Sequence, residues 1–494
     1  MGIITHINMM AENYNPDAAL VPYFCVAMVV WGAAFVDTWK REQSTYRLKW
    51  GTKGYEATEQ DRQGFKGKLK ASPVTGKPVM YYSGKARFPK IAAAQAVVAT
   101  CTAAALAAVV GVFALKFWLT NPPMVSTYAV FGYPLGSITA SLANAIQIQL
   151  MGDLYTTLAE KLTDWENHRT QTHYEDALIA KSFLFHLINS YAALFYIAFF
   201  KATFGESCVN DSCMEELRTT LGSIFITRLI SGNFLEVGLP SLKMWWAARA
   251  RRNNIAKKNA EAERYADLRE MSCVEEQWEL YEYGSRELFK DYLEMVIQFG
   301  YATLFAGAFP LAAVLSIVNN YVEIRVDGFR LSRQSRRARP ASAEDIGTWQ
   351  GVLNSMVYLS TMTNTGLLCF TCGFLGGEVS WAERLLAFIA IEHFMLALQY
   401  SVSLMIEDEA ECVNVQHSRG EILVDKIMYD MGDDDGDSDS DDDAQMSAQQ
   451  VTASLLQKHV SVDLSIYSTD EDFLTAAQKA QANYYKAPGA ADKV

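Results

Sequence analysis

The chain has 494 residues and a formal net charge of −13 at pH 7, with 50% hydrophobic and 20% charged residues. Much of the negative charge comes from one Asp-rich run, Asp430–Asp443, so the acidic balance says little about partners of the remaining chain. The sequence contains no nucleophile motif, phosphate loop or cofactor fingerprint. We therefore expect neither an enzyme nor a nucleic-acid-binding protein.

Apolar runs long enough to cross a bilayer recur along the chain and predict an all-α polytopic membrane protein with about nine transmembrane helices. In chain order the predicted spans are Ala18–Trp39, Ile91–Leu119, Val125–Leu150, Ser182–Phe204, Thr219–Trp245, Tyr292–Phe309, Leu311–Arg330, Val352–Leu375 and Ala382–Ile406. No cleavable signal peptide precedes the first span, which must itself direct insertion.

The loops between these spans differ in their basic residues. Met1–Pro16 and Ala202–Glu216 contain no Lys or Arg, whereas five such residues follow the first span within Lys40–Lys53. Short cytoplasmic loops are enriched in Lys and Arg. We therefore expect the N-terminus outside the cell or in a lumen and the C-terminus in the cytosol, in the plasma membrane or the endoplasmic reticulum.

The chain divides into an external N-terminal segment (residues 1–17), a transmembrane domain (18–428) and an acidic cytosolic tail (429–494). The tail begins with Asp, Gly and Ser residues that cannot bury a core, so we expect it to be disordered, with two stretches able to form short helices. In one external loop Asn210 begins a glycosylation sequon, and the flanking Cys208 and Cys213 could close a small disulfide.

Carboxylates lie inside or at the ends of three predicted spans. They are Glu236, Asp291, Glu294, Glu323 and Asp327. Each acidic residue at the middle of a transmembrane helix costs roughly 2.5–3.5 kcal/mol, so a cation should compensate them. Helical geometry puts the two acids of the sixth span on one face and the two acids of the seventh on another. The short connection around Pro310 makes these spans antiparallel neighbours, so both faces meet near the cytoplasmic side.

Further features of these spans indicate which cation is bound. Asn319 adds an amide oxygen to the acidic face of the seventh span, whereas Arg325 projects roughly the opposite way and does not easily neutralise it. Glu236 lies at a matching depth on the fifth span. Carboxylate and amide oxygens without imidazole or thiolate suit calcium, and five negative charges suit two ions. The alternatives are acids that pair with arginine and the proton-relay carboxylates of a transporter.

Polar side chains at membrane depth predict a groove for lipid headgroups. The candidates are Ser137, Ser141 and Asn144 on the third span, Asn189 and Tyr191 on the fourth, and Ser223, Thr227 and Ser231 on the fifth. Small hydroxyl residues at this spacing are also ordinary helix-packing contacts, and that alternative stays open. A selective anion pore needs several cations, yet these spans offer little beyond Lys201 and Arg228, which favours lipids.

Several segments of the chain resemble those of the anoctamin family, in the family's order. They are GNFLEVGLP at Gly232–Pro240, DYLEMVIQFG at Asp291–Gly300, NNYVEIRVD at Asn319–Asp327, DIGTW at Asp345–Trp349 and LVDKI at Leu423–Ile427. The resemblance runs from Phe24 to Met428. It implies a calcium-activated homodimer in which each subunit has its own groove and moves phospholipids or anions.

The resemblance also implies a ligand set. The implied calcium ligands are Glu236, Asp291, Glu294, Asn319, Glu323 and Asp327, with two ions in each subunit. The family often has a ligand Asn where this chain has Gly232, followed by Asn233, so we expect weaker affinity or altered stoichiometry. A second, weaker calcium site is implied between Asp37 and Asp408, for which ordinary acidic helix ends are the simpler interpretation.

The family usually carries a cytosolic domain and one more transmembrane helix ahead of the first span seen here. We expect both to be absent from this chain, through a truncated gene model or a naturally shorter protein. We expect a calcium-activated phospholipid scramblase with nonselective ion conduction; the alternatives are a calcium-activated chloride channel and a membrane tether without transport. Gly232, Gly238 and Pro240 are weak points at which the helix carrying Glu236 could bend when calcium binds.

Overall fold

The computed structural model describes residues 1–12, 18–73, 76–120, 129–130, 133–204, 208, 212–233, 238, 241–243, 245–246, 249–250, 273–278, 280–372, 375–376 and 379–429. The long helices are Gly2–Ala11 (α1), Val21–Trp50 (α2), Gly84–Thr120 (α4), Leu135–Glu166 (α5), Gln171–Phe195 (α6), Cys213–Asn233 (α7), Ser285–Thr303 (α9), Leu311–Phe329 (α10), Thr348–Gly366 (α11), Trp381–Met405 (α12) and Glu411–Tyr429 (α13). Short helices span Tyr55–Thr58 (α3) and Cys273–Trp278 (α8).

The remaining regular structure is local. Two antiparallel hairpins join Lys68–Ala71 (β1) to Pro78–Tyr81 (β2) and Ala129–Val130 (β3) to Tyr133–Pro134 (β4). Single π-helical turns continue α6, α10 and α11 over Tyr196–Phe200, Arg330–Gln334 and Leu367–Thr371. The chain forms two compact units, Met1–Arg419 and Gly420–Val494, and of the second unit only residues 420–429 are described. The predicted acidic tail therefore lies almost wholly outside the described residues.

Each of the nine predicted spans overlaps a helix of the structure. Among the described helices, four are long and apolar enough to cross a membrane: Val21–Trp50, Gly84–Leu115, Gln171–Phe200 and Trp381–Met405. α9 and α10 contain the acidic residues singled out above, which lowers their hydropathy. Polar and charged residues of a membrane span usually face the interior of the bundle, so a span that carries them has a lower mean hydropathy than one that faces only lipid.

The ends of the predicted spans differ from those of the helices. α2 continues to Trp50, beyond the predicted end at Trp39, because its last turns carry charged residues that extend the helix past the apolar run. The third span was predicted from Val125, but α5 begins at Leu135, directly after the β3–β4 hairpin. Residues 2–11, within the predicted external N-terminal segment, form a helix, α1, whose Thr5 and Met9 are buried.

α6, α9 and α11 contribute large buried side chains to the core of the bundle. Tyr191 of α6 is fully buried and its hydroxyl donates a hydrogen bond to the carbonyl oxygen of Ile297, at 2.7 Å. Gly300 permits this close approach, since a Cβ atom there would overlap the Tyr191 hydroxyl and the Met356 side chain. Tyr191, a predicted groove residue, thus lies in the packed core that holds α9 in place.

A second set of contacts organises the side of the bundle predicted to be cytosolic. Asn167, at a φ of 60°, pairs its side-chain amide with the backbone N–H and carbonyl of Lys66, at 3.0 and 2.7 Å. The Glu59 carboxylate accepts hydrogen bonds from the first N–H groups of α6, and Asp176 does the same for Thr348 of α11. These caps satisfy helix N-termini that would otherwise lack partners. The connection between α2 and α4 therefore contacts and stabilises the junction between α5 and α6.

Candidate metal centre and adjoining cavity

α9 and α10 carry four of the five predicted carboxylates and are joined by a connection of a few residues that ends at Pro310, the N-cap of α10. The two helices therefore run antiparallel. Asp291 Oδ2 and Asp327 Oδ1 lie 2.7 and 2.8 Å from the same atom, Arg330 Nη2. The structure thus brings together one acid from each predicted pair, as the sequence indicated.

Arg330 was not identified from the sequence, and Arg325 was the cation weighed there as a partner of the acids. Arg325 does project away, and its guanidinium donates to the hydroxyl of Tyr321 at 3.1 Å on the exposed side of α10. Arg330 follows Asp327 by three residues, and that spacing on a helix places two side chains on one face. This spacing is the signal that would have predicted the ion pair between Arg330 and Asp327.

Tyr283 completes the surroundings of Asp291. Its hydroxyl donates a 2.7 Å hydrogen bond to Asp291 Oδ2, the same oxygen that contacts Arg330, and the Arg330 guanidinium lies 5.5 Å from the centre of its ring. Burial and the hydrogen bond to Asp291 raise the pKa of the Tyr283 hydroxyl above its usual value, so it remains a donor at neutral pH. Asp291 therefore accepts from two different segments.

Deeper in the bundle, an amide cluster surrounds the second acid of α10. Glu323 and Asn319 are each 6% exposed, and the Asn319 amide nitrogen lies 3.4 Å from Glu323 Oε1 and 2.6 Å from Gln298 Oε1. Gln298 also donates to Asn320, at 2.5 Å. Gln298 was missed from the sequence, although it follows Glu294 by four residues on the same face of α9. Amide and carboxylate oxygens are thus concentrated between α9 and α10.

α7 approaches this cluster at Gly232. A Cβ atom at that position would lie 3.3 Å from Glu294 Oε1, so the α7 backbone and the Glu294 carboxylate are in contact distance of one another. Gly238 lies in a π-helical turn. Glu236 and Pro240 lie outside the described residues, as does the side chain of Asn233. In the part of the chain that the structure describes, no three His, Cys, Asp or Glu side chains form a metal-binding group.

A cavity of about 400 Å³ opens beside these carboxylates, between α5, α6, α7 and α9. Acids and bases both line it: Asp153, Glu287, Asp291 and Glu294, together with Arg228, Lys290 and Arg330. Gln149, Thr156, His186 and the predicted groove residue Thr227 add uncharged polar surface. The cavity is therefore polar, of mixed charge, and continuous with the acidic cluster.

The other predicted groove residues are placed differently. Asn144 and Asn189 are buried, and Asn189 accepts a hydrogen bond from Gln147 and donates one to the carbonyl oxygen of Ile148, both on α5. The Ser223 hydroxyl donates to the carbonyl of Thr219 one turn earlier in α7. Asn189 thus contacts the neighbouring helix α5, whereas the Ser223 hydroxyl is satisfied within its own helix. The side chains of Ser137, Ser141 and Ser231 lie outside the described set.

The remaining candidate residues lie at the two ends of the bundle. The sulfur atoms of Cys208 and Cys213 are bonded to each other, and Asn210 lies outside the described residues. Asp37 accepts a 2.6 Å hydrogen bond from Ser403, while Asp408 pairs with Lys40 at 2.5 Å. Asp37 lies within α2, because that helix continues to Trp50, whereas Asp408 follows the end of α12. Both acids are partly or largely exposed and have protein partners.

These features define a polytopic α-helical membrane protein with an acidic cluster beside a polar cavity. A family model described as "Anoctamin: Calcium-activated chloride channel" matches residues 1–420, and the chain belongs to the anoctamin family. The predictions of that family and of an all-α polytopic fold are therefore confirmed.

Individual relatives agree with this assignment. The chain is 32% identical to Anoctamin-7 of Homo sapiens over 376 residues, which is 72% of this chain and 39% of the relative. It is 30% identical to Anoctamin-4 of Bos taurus over 391 residues, which is 73% of this chain and 41% of the relative. Identity to Anoctamin-5 of Homo sapiens is 31%, over 71% of this chain and 40% of the relative. The chain thus spans less than half the length of these curated relatives.

Proposed function

We propose that this chain is a calcium-activated phospholipid scramblase that also conducts ions nonselectively. The observation that carries the proposal is the mixed charge of the cavity between α5, α6, α7 and α9, where four acids and three bases share one lining. A zwitterionic headgroup presents a phosphate and an ammonium at once, so such a lining solvates both ends. A pore selective for anions would be lined mainly by cations.

The residues of the acidic cluster fit calcium. Asp291, Glu294, Glu323, Asp327 and Asn319, with Glu236 from the fifth span, would hold two ions in each subunit. Every donor is a hard oxygen, the ligand type that calcium prefers, and the described members come from two antiparallel helices already in contact. When bound, calcium would supply the positive charge that five clustered carboxylates need at membrane depth.

Movement of the fifth span is the proposed response of the protein. Gly232 lies against Glu294 and Gly238 lies in a π-helical turn, so a close helix contact precedes Glu236 and an irregular turn follows it. We propose that Gly232, Gly238 and Pro240 form the hinge. Thr227 and Arg228 lie on the same helix and line the cavity, so bending this helix would reshape the path for headgroups.

The proposed assembly and topology complete this function. The chain would act as a homodimer in the plasma membrane or the endoplasmic reticulum, with its N-terminus outside or lumenal and its C-terminus cytosolic. Asn210 would carry a glycan beside the Cys208–Cys213 disulfide, and the acidic residues 429–494 would form a disordered cytosolic tail. Asp37 and Asp408, which already have protein partners, would make at most a weaker calcium site.

A calcium-activated chloride channel is the second candidate function. It is favoured by the description of the family and by Arg228, Lys290 and Arg330, three cations that line one cavity. Asp153 and Glu287 line the same cavity and are not among the proposed calcium ligands, so acids remain beside these cations when calcium is bound, which is why we place lipid transport first.

Transport assays on the full chain distinguish these functions. The purified protein is reconstituted into phosphatidylcholine vesicles that contain a fluorescent phospholipid, and dithionite bleaching measures how much of the label reaches the outer leaflet. Chloride efflux is measured on the same vesicles. We expect calcium to make nearly all the label accessible and to increase ion leakage. Chloride efflux without lipid exchange would identify a channel, and neither activity would identify a tether.

Gly232→Asn is expected to tighten calcium binding by about tenfold, because it adds an amide oxygen next to Glu294. The new Cβ atom would lie 3.3 Å from Glu294 Oε1, the end of a flexible side chain that needs to shift only slightly. Calcium affinity is measured by isothermal titration calorimetry. Gly232→Ala is the matched control, since it introduces the same Cβ without an amide. Equal affinities for the Asn and Ala variants would contradict the prediction.

A further inference from the structure

We propose that Arg330 is a tethered competitor of calcium: its guanidinium occupies the cation position between Asp291 and Asp327 in the calcium-free protein and must leave when calcium binds. This inference rests on the proposed function, since it concerns the same metal centre. The supporting observation is the position of the Arg330 guanidinium between the two carboxylates. A single nitrogen, Nη2, lies 2.7 Å from Asp291 Oδ2 and 2.8 Å from Asp327 Oδ1.

The contact uses oxygens that the metal centre would need. A calcium ligand oxygen lies about 2.3–2.6 Å from the ion, and a guanidinium nitrogen cannot remain at hydrogen-bonding distance between two such oxygens without repelling the cation. The side chain of Arg330 is 14% exposed and that of Asp291 22%, so water screens this pair less than a surface pair. Arg330 therefore stabilises the two acids without calcium and opposes its binding.

The backbone at Arg330 connects this competition to neighbouring segments. Arg330 is the first residue of the π-helical turn, whose last residue, Gln334, donates a 2.6 Å hydrogen bond to Ser241, beyond the predicted hinge. The Tyr281 N–H donates to the carbonyl of Gln334 at 3.2 Å, two residues before Tyr283, the donor to Asp291. Release of Arg330 would thus loosen a turn that contacts both the fifth span and the entry to α9.

The test measures calcium binding by the full chain in lipid nanodiscs, by isothermal titration calorimetry, and thermal unfolding with and without calcium. Arg330→Gln is expected to bind calcium about tenfold more tightly than the natural chain, because two charge-assisted contacts no longer compete. Its melting temperature without calcium should fall, since Asp291 and Asp327 then repel each other, and the increase caused by calcium should be larger. Arg325→Gln removes the same charge from α10 without these contacts and should leave the affinity unchanged.

The outcomes separate this proposal from the metal centre itself. If Asp327→Asn abolishes calcium binding but Arg330→Gln binds as the natural chain does, Arg330 does not compete with calcium. The proposed metal centre is then supported without it. Equal gains for Arg330→Gln and Arg325→Gln would also overturn it, since general electrostatics would then explain both. Absence of binding by the natural chain would overturn both proposals. If Arg330→Gln does not fold, Arg330→Lys is measured instead. Its single ammonium should give a calcium affinity between that of the natural chain and a tenfold tighter one. An affinity equal to that of the natural chain would contradict the proposal.

Discussion

Glu294→Gln and Asp327→Asn are each expected to raise the calcium concentration for half-maximal lipid scrambling by about a hundredfold. Each substitution removes one negative charge from a cluster that calcium would have to bind. Glu294 lines the cavity together with Asp291 and Arg228 and faces the α7 backbone at Gly232. Asp327 shares its cation with Asp291 across two helices. The measurement is the calcium dependence of phospholipid exchange in vesicles.

The matched control for these variants is Glu392→Gln. Glu392 is another carboxylate inside a predicted span, but it belongs to α12 and pairs with His393 at 2.6 Å. It should leave the calcium dependence of scrambling unchanged. A hundredfold shift in this control, or unshifted curves for both cluster variants, would show that the carboxylates of α9 and α10 are not the calcium sensor. Calcium-induced thermal stabilisation provides a second readout that does not depend on transport.

Lys181→Met is expected to destabilise the protein by about 3–5 kcal/mol, because it removes the lysine partner of a buried carboxylate. Lys181 Nζ lies 2.7 Å from Glu166 Oε2, and the two side chains are 3% and 1% exposed. His168 contacts the same oxygen at 2.8 Å, so three residues at the junction of α5 and α6 form one buried cluster. Thermal unfolding in detergent, followed by tryptophan fluorescence, measures the loss.

Two further variants test the cause of this loss. Lys161→Met removes a lysine from an exposed position of α5 and should change stability little. Glu166→Leu combined with Lys181→Met removes both charges and should recover a large part of the stability. If the double variant is as unstable as Lys181→Met alone, the loss comes from packing and not from an uncompensated charge.

The same cluster has a pH dependence of defined sign. Burial acts to raise the pKa of Glu166, but the hydrogen bonds from His168 and Lys181 outweigh it and hold the pKa below its ordinary value of 4.5. A carboxyl whose pKa is lower in the folded state contributes stability that is fully present above pH 4.5 and is lost as the pH falls through the folded-state pKa. Lys181→Met should therefore weaken the fall in the free energy of unfolding between pH 4.5 and the folded-state pKa of Glu166. Thermal unfolding measured as a function of pH tests this.

The convergence of the carboxylates was predictable because it depends on local rules. Apolar runs identified the spans, a periodicity of 3.6 residues placed Asp291 with Glu294 and Glu323 with Asp327, and a short connection made α9 and α10 neighbours. Arg325 was correctly placed on the opposite face for the same reason. The contact of Gly232 with Glu294 was not predictable, because it depends on how closely α7 packs against α9.

Side-chain partners were predicted less well than helix positions. Tyr191 and Asn189 were expected in a groove on the basis of their polarity, but the structure buries both and satisfies them with backbone and side-chain partners on neighbouring helices. Polarity at membrane depth shows that a residue avoids lipid, and it does not distinguish a cavity from a polar core contact. Thr227 lines the cavity because the packing of α7 turns it towards α5 and α9.

The sequence by itself determined the membrane class, the family and the concentration of acids on two adjacent helices, because each follows from hydropathy, motif order and helical periodicity. Only the tertiary structure decided that a single cation contacts acids of both helices. Arg330 reaches them through a π-helical turn that continues α10, and the turn's position depends on contacts with Tyr281 and Ser241 from distant parts of the chain. Contacts between segments far apart in sequence have no local signal, so the ion pair between Arg330 and Asp291 became visible only in the folded bundle.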